Sequence, residues 1–145
     1  MKSANGSASW FEGLQLDVEH PRRMPIMHPR TNTPLPGGWV EVYSNDSARA
    51  KAHQRDLLRV RQQLAARGGR TVMTPEEQDA AATDLLVTLT GGWSLVDFDG
   101  SPIEKEFTPE AARELYDAPE GTWLRAQVDT WSAERGNFMP DRFRH

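Results

Sequence analysis

One acidic stretch of this chain falls into register with a calcium-binding EF-hand loop. Within residues 95–106, the acidic and glycine positions that match such a loop are Asp97, Asp99, Gly100 and Glu106. Carboxylates at these positions bind a hard cation in a true EF-hand. The first ligand position, however, holds Leu95, whose hydrocarbon side chain cannot coordinate calcium. We therefore predict no metal site, and we interpret Asp99-Gly100 as a tight turn.

Groups that could perform catalysis are present, but they are not arranged for it. The four histidines are scattered without metal-ligand spacing, and no serine lies in a Gly-x-Ser-x-Gly elbow. A nucleotide phosphate has no cradle, because neither Gly-x-Gly-x-x-Gly nor a Walker sequence occurs. The absence of cysteine from the 145 residues excludes disulfides and thiolate metal sites. We predict a protein that is not an enzyme and uses no cofactor.

Large apolar side chains are the remaining candidates for a functional surface. The chain has five tryptophans, and tryptophan both dominates small cores and is enriched at interaction hot spots. The sequence leaves these two roles open, although core packing is the more ordinary one. The residues predicted to bind a partner are Leu85, Leu89, Trp93, Trp123, Trp131 and Phe138.

Charge is divided unequally along the chain, whose net charge is −4. Residues 1–70 hold 11 Lys/Arg against 6 Asp/Glu, and residues 71–145 hold 6 against 15. Such a chain can neutralise itself or attract other copies head to tail, and either effect weakens with salt. We favour neutralisation within the molecule, with weak homo-oligomerisation as the alternative. The residues assigned to this role are Arg55, Arg59, Glu76 and Glu77.

An arginine-rich segment, residues 49–70, is the best candidate for contact with nucleic acid. Its positive charges, however, surround the expected helix, Asp56 interrupts them, and the whole chain is acidic. We do not expect nucleic-acid binding, and we expect this helix to pair with the acidic helix at Glu76–Asp84. No run of the sequence approaches the roughly 20 apolar residues of a membrane span, so we expect no membrane association.

The N-terminal part is predicted to contain β-structure. Residues 1–9 are small and polar, which predicts disorder, and residues 10–18 alternate as one short strand could. Residues 24–43 are predicted to form an antiparallel hairpin around a long loop at 29–38, with Pro25 and Pro29 confining its first strand to a sheet edge.

Capping signals predict four helices after this hairpin, at about 46–67, 75–90, 109–116 and 120–135. Gly91-Gly92 is expected to end the second helix through a left-handed glycine, and residues 93–103 are expected to form a small hairpin or an irregular loop. The predicted fold class is therefore mainly α (α+β). We expect one domain over 10–138, with a β portion at 10–45, a helical portion at 46–138 and a basic tail at 139–145.

The order of motifs in residues 91–138 resembles that of the tail assembly chaperones of long-tailed bacteriophages and prophages. The motifs that carry the resemblance are Gly91-Gly92-Trp93-Ser94, Asp99-Gly100, Phe107-Thr108-Pro109-Glu110-Ala111-Ala112, Trp123-Leu124-Arg125-Ala126-Gln127-Val128 and Asn137-Phe138. A weaker similarity covers Gly38–Val42 and Asp46-Ser47. The first nine residues and the basic ending depart from the pattern, so nothing about them is inferred from the family.

The resemblance implies a non-catalytic protein that binds the long helical tape-measure protein, keeps it soluble and helps to recruit tail-tube subunits. It also implies action in the cytoplasm of the bacterial host and absence from the mature virion. Two alternatives stay open from the residues: a permanent structural component such as a connector or tail-completion protein, and a small regulator that binds a host protein or nucleic acid.

Overall fold

The computed structural model describes residues 10–69 and 72–140. Over these ranges it has three strands and four α-helices: β1 (Arg22–Met27), β2 (Pro34–Val42), α1 (Ala48–Ala66), α2 (Pro75–Leu89), β3 (Thr90–Ser94), α3 (Pro109–Asp117) and α4 (Thr122–Ala133). The strands form one antiparallel sheet in the order β1-β2-β3. This arrangement confirms the predicted α+β class, with a hairpin before four helices. The predicted disorder of residues 1–9 and the end of the basic tail, 141–145, lie outside the described residues.

The third strand was not predicted, and the interpretation of Gly91-Gly92 as a left-handed helix stop is wrong. Among the described glycines, left-handed backbone occurs at Gly37, Gly68 and Gly100, and not at this pair. The chain instead leaves α2 directly into β3, which pairs with β2. A Cβ on Gly91 would lie 2.9 Å from the Glu41 carboxylate and 3.1 Å from the Tyr43 ring. Glycine is needed here for close strand packing.

Three other predicted boundaries differ from the structure. Residues 10–18 do not form a strand, because the chain makes a 3₁₀ turn at Glu12–Leu14 with no neighbouring strand to complete a ladder. The hairpin loop is shorter than 29–38, since β2 already begins at Pro34. The last helix is also shorter than 120–135, because 3₁₀ turns at Pro119–Gly121 and Arg135–Phe138 flank α4.

Helices α2 and α3 begin at the residues that their capping sequences predict. Thr74 and Glu77 form a complete capping box, in which the Thr74 hydroxyl accepts the Glu77 N–H and the Glu77 carboxylate accepts the Thr74 N–H. The Thr108 hydroxyl likewise accepts the Ala111 N–H at the start of α3. These bonds satisfy backbone donors that the first helical turn leaves without partners.

One face of the sheet packs against α4 and α2, and side chains of α2, α3 and α4 complete the core with it. Met24 lies opposite Val40 in the β1–β2 pair, and Val40 lies opposite Trp93 in the β2–β3 pair. The buried residues of this core are Met24, Ile26, Leu35, Val40, Val42, Leu86, Val87, Ala112, Tyr116, Leu124 and Val128. The opposite sheet face carries Trp39, whose ring centroid lies 3.9 Å from the Arg23 guanidinium carbon. In the described part of the chain, no helix is both long enough and apolar enough to span a membrane.

A buried hydroxyl chain joins the sheet to two helices. The Tyr116 hydroxyl lies 2.8 Å from Thr90 Oγ1, which in turn donates to the Leu86 carbonyl at 2.7 Å. Because the Thr90 hydroxyl already donates its proton to the Leu86 carbonyl, Tyr116 is the donor in the bond between the two hydroxyls. Burial of the Tyr116 hydroxyl raises its pKa to about 12.

This burial predicts a loss of stability in strong alkali. The unfolded chain releases the phenolic proton near the ordinary tyrosine pKa of 10.0, at a lower pH than the folded chain does. Stability should therefore fall as the pH rises from about 10 to about 12, by at most about 2–3 kcal/mol. Tyr116→Phe should cost about 1 kcal/mol at neutral pH but lack this additional loss. Urea unfolding at about pH 7 and about pH 11 measures both effects, and parallel losses in the two proteins would contradict the assignment.

The turn between α3 and α4 depends on a close approach at Gly121. Its backbone lies in the ordinary right-handed region, so the constraint is purely steric. A Cβ added to Gly121 would overlap the carbonyl oxygen of Leu115. This contact brings the end of α3 against the start of α4.

Gly121→Ala should therefore destabilise the fold by about 3 kcal/mol or more, because the two helices must separate to admit one methyl group. Thermal and urea unfolding measure the effect. The matched control is Gly13→Ala, where an added Cβ meets nothing within 4 Å. Equal unfolding free energies for the two variants would show that the close approach is not needed.

Candidate functional site

The six residues predicted to bind a partner lie in four places. Leu89 and Phe138 are completely buried, so they offer no surface to a partner in this conformation. Leu85 lies on a separate shallow surface beside Ala82 and Arg125. Trp131 lines a cavity against β1. The remaining two, Trp93 and Trp123, line one apolar groove.

This groove, called here the Trp93–Trp123 groove, consists of two adjoining cavities between the loop after β3 and helices α3 and α4. Their volumes are about 540 and 250 Å³. Leu95, Ile103 and Leu115 line both cavities. The principal apolar side chains of the groove are Trp93, Leu95, Phe98, Ile103, Leu115 and Trp123.

Backbone and indole hydrogen bonds hold the outer wall of the groove in place. The Ile103 N–H donates to the Leu95 carbonyl at 2.9 Å, and the Trp93 indole N–H donates to the Lys105 carbonyl at 2.8 Å. Val96 and Pro102 form an isolated antiparallel bridge. The Trp93 ring meets Phe107 edge to face, with centroids 5.2 Å apart. These contacts tie the loop to Trp93 of β3 and form one wall of the groove.

Phe98 is the most open aromatic residue of the groove. Its side chain is 56% exposed, and Ile103 beside it is 47% exposed. The Phe98 ring lies 5.6 Å from the Trp123 ring and 5.1 Å from the His28 ring, centroid to centroid. The groove therefore combines two half-exposed apolar residues with partly buried tryptophans, which is the composition of an interaction hot spot.

Acidic side chains surround this apolar surface. The charged residues that line the two cavities are Asp97, Glu104, Lys105, Glu114 and Glu120, all of them exposed. Four carboxylates against one ammonium give the groove a net charge of −3. Within the described residues, none of the four carboxylates forms an ion pair with Lys, Arg or His.

The segment that matches the EF-hand register is one of the walls of this groove. Asp97 Oδ1 accepts the N–H groups of Asp99 and Ser101, at 2.9 and 3.0 Å. Gly100 completes the turn with a φ of +88°. Over the described ranges there is no group of three or more His, Asp or Glu residues that could hold a metal ion. The Asp97 carboxylate thus organises a turn.

Gln127 separates the groove from the cavity at Trp131. Trp123, Gln127 and Trp131 recur every four residues, which places them on one face of α4. The Gln127 side chain donates to the Met27 carbonyl at 2.8 Å and accepts the Met27 N–H at 3.0 Å. It therefore pairs with the edge strand β1 as a neighbouring strand would. The cavity beyond it has a volume of about 510 Å³ and is lined by Met24, Met27 and Trp131.

Loss of this amide should expose a sheet edge. Gln127→Leu preserves the side-chain size but leaves both backbone groups of Met27 without their partner, so we expect a cost of about 1–3 kcal/mol and a greater tendency to aggregate. Amide hydrogen exchange should become faster at Met27. Thr130→Ala, in the same cavity wall, is the control. Unchanged exchange at Met27 in Gln127→Leu would contradict this role.

A polar cleft of about 550 Å³ lies on another side of the molecule, between α1, α2 and the start of α3. Its ionisable groups contact one another: Arg113 pairs with Asp84, and the Arg49 guanidinium carbon lies 3.9 Å from the Tyr43 ring centroid. His53 Nδ1 lies 3.4 Å from the Thr88 hydroxyl. These contacts join three helices, and we assign them a structural role.

The electrostatic pairing predicted between α1 and α2 differs from the observed one. Asp79 and Asp84 of α2 form ion pairs with Arg125 and Arg113 of α4 and α3. Arg59 pairs at 3.4 Å with Asp56 of its own helix. The other residues assigned to this role, Arg55 and Glu76, are exposed, and Glu77 serves in the capping box. Self-association through these residues stays a prediction.

Several residues of the groove were missed because they lie in a segment that turn signals dominate. Leu95, Phe98 and Ile103 follow no helical or strand period. Leu115 lies in α3, which is a short helix. The signal that could have found them is composition, since Leu95, Val96, Phe98 and Ile103 make this loop too apolar for a fully solvated one. In comparisons with known proteins, no family model, curated protein or solved structure matches this chain.

Proposed function

We propose that this protein is a non-catalytic chaperone of phage tail assembly that covers an apolar stripe of a helical client in the Trp93–Trp123 groove. The observation that carries the proposal is the groove itself, an open apolar surface with aromatic residues on both walls. Helix-in-groove binding uses such surfaces, with anchors of the client repeating every three or four residues. The chemistry offered is reversible burial of apolar area.

The resemblance to tail assembly chaperones supports this assignment, because several of the motifs that carry it also contribute to the groove. Gly91–Ser94 lies in β3, the Asp99-Gly100 turn belongs to the outer wall, and Thr108 caps α3, which begins at Pro109. Trp123 of α4 lines the opposite side of the groove. The client implied by the resemblance is the tape-measure protein, and the tail-tube protein is the second partner.

In this proposal the protein acts in the cytoplasm of the bacterial host and is absent from the mature virion. Each copy binds weakly, and many copies on one long client provide avidity. Mass spectrometry of purified particles separates this role from that of a permanent structural component, because an assembly factor should not be found in them.

Co-expression with the tape-measure protein tests the groove directly. The wild-type chain should raise the soluble fraction of the client, and Phe98→Ala and Trp123→Ala should each weaken binding by about 2 kcal/mol because they remove aromatic anchors. Trp39→Ala is the matched control, since Trp39 lies on the opposite sheet face. Client solubility that is independent of the wild-type chain would refute the proposed function, and equal loss in the Trp39 control would refute the groove as the site.

A further inference from the structure

The four carboxylates of the Trp93–Trp123 groove, which form no ion pair within the described residues, restrict what can bind there. Glu114 and Glu120 lie along the α3–α4 side, and Asp97 and Glu104 belong to the loop on the other side. An apolar segment bound between them would bring its own flanking side chains close to these carboxylates. Because binding excludes water, the carboxylates would interact more strongly with those side chains than they do with solvent.

The acidic surface extends beyond the groove. Between residues 97 and 120 the chain holds eight Asp/Glu and two Lys/Arg, and all eight acidic residues are exposed. One of the two basic residues, Arg113, is already paired with Asp84. A neutral or acidic helix would therefore meet uncompensated negative charge on both sides, whereas a helix with flanking Lys or Arg would neutralise it.

From this charge complementarity we infer that the groove selects a cationic amphipathic helix, one whose apolar stripe is bordered on both sides by Lys or Arg. The inference rests on the proposed function in that it names the chemistry of the client segment bound at the same site. Apolar contacts with Phe98, Ile103 and Trp123 supply affinity, and the carboxylates supply the choice among helices. Glu114 and Glu120 are the specificity-determining residues on the helical side.

A matched pair of peptides tests the inference with the full chain. Both are designed helices of about 18 residues, five turns long, with one identical apolar stripe, bordered by Lys in one peptide and by Glu in the other. Fluorescence anisotropy should show the Lys peptide binding on the order of tenfold more tightly at roughly 50 mM salt. The preference should shrink at roughly 500 mM salt, where exposed charges are screened.

Protein variants assign the preference to particular residues. Glu114→Gln combined with Glu120→Gln should reduce the preference between the peptides with little effect on apolar affinity, whereas Trp123→Ala should weaken both peptides alike. The control is Asp129→Asn, since Asp129 lies outside both cavities of the groove. Equal binding of the two peptides, preference for the Glu peptide, or the same change in the Asp129 control would overturn the inference.

A second copy of this chain is the competing occupant, because α1 is itself basic and carries half-exposed Leu58, Val60 and Leu64. Sedimentation velocity showing self-assembly that Glu114→Gln with Glu120→Gln abolishes would overturn the assignment to a client. The two proposals fail in different ways. Client solubilisation with no preference between the peptides removes only the charge selection, whereas peptide preference without client solubilisation removes only the chaperone function.

Discussion

Burial of one face of a small three-stranded sheet against helical side chains of α2, α3 and α4 is the constraint on which the rest of the structure depends. Met24, Val40 and Val42 are almost completely inaccessible, and Leu124 and Val128 cover them from α4. A sheet of three short strands is marginal without such cover. The position of α4 across the sheet also places Trp123 and Leu124 opposite the loop that joins β3 to α3.

The same packing leaves apolar surface open. Trp123 precedes Leu124 on α4, so a helix that buries Leu124 in the core necessarily places Trp123 at its border. Leu115 lies one residue before the buried Tyr116 and takes the equivalent border position on α3. The loop after β3 packs against both border residues but covers them only in part. The open groove is therefore a consequence of helix geometry around a small core.

The acidic residues of the chain fall into two groups in the structure: some form ion pairs between helices, and others surround the Trp93–Trp123 groove. Asp79 and Asp84 pair with Arg125 and Arg113, so these acidic residues of α2 help to hold the helices together. The acidic residues around the Trp93–Trp123 groove have no such ion pairs in the described structure. Negative charge is thus structural on one side of the molecule and available to a partner on the other.

The sequence by itself determined the starts of α2 and α3, the fold class and the turn at Asp99-Gly100, because caps and turns act through hydrogen bonds within about four residues of the chain. It did not determine β3, nor which of the large apolar residues lie in the core and which line the groove. Thr90–Ser94 becomes a strand only because β2, some fifty residues earlier, lies beside it. Trp93 and Trp123 reach one groove while Leu89 and Phe138 reach the core, since burial depends on contacts between distant segments that no local pattern records.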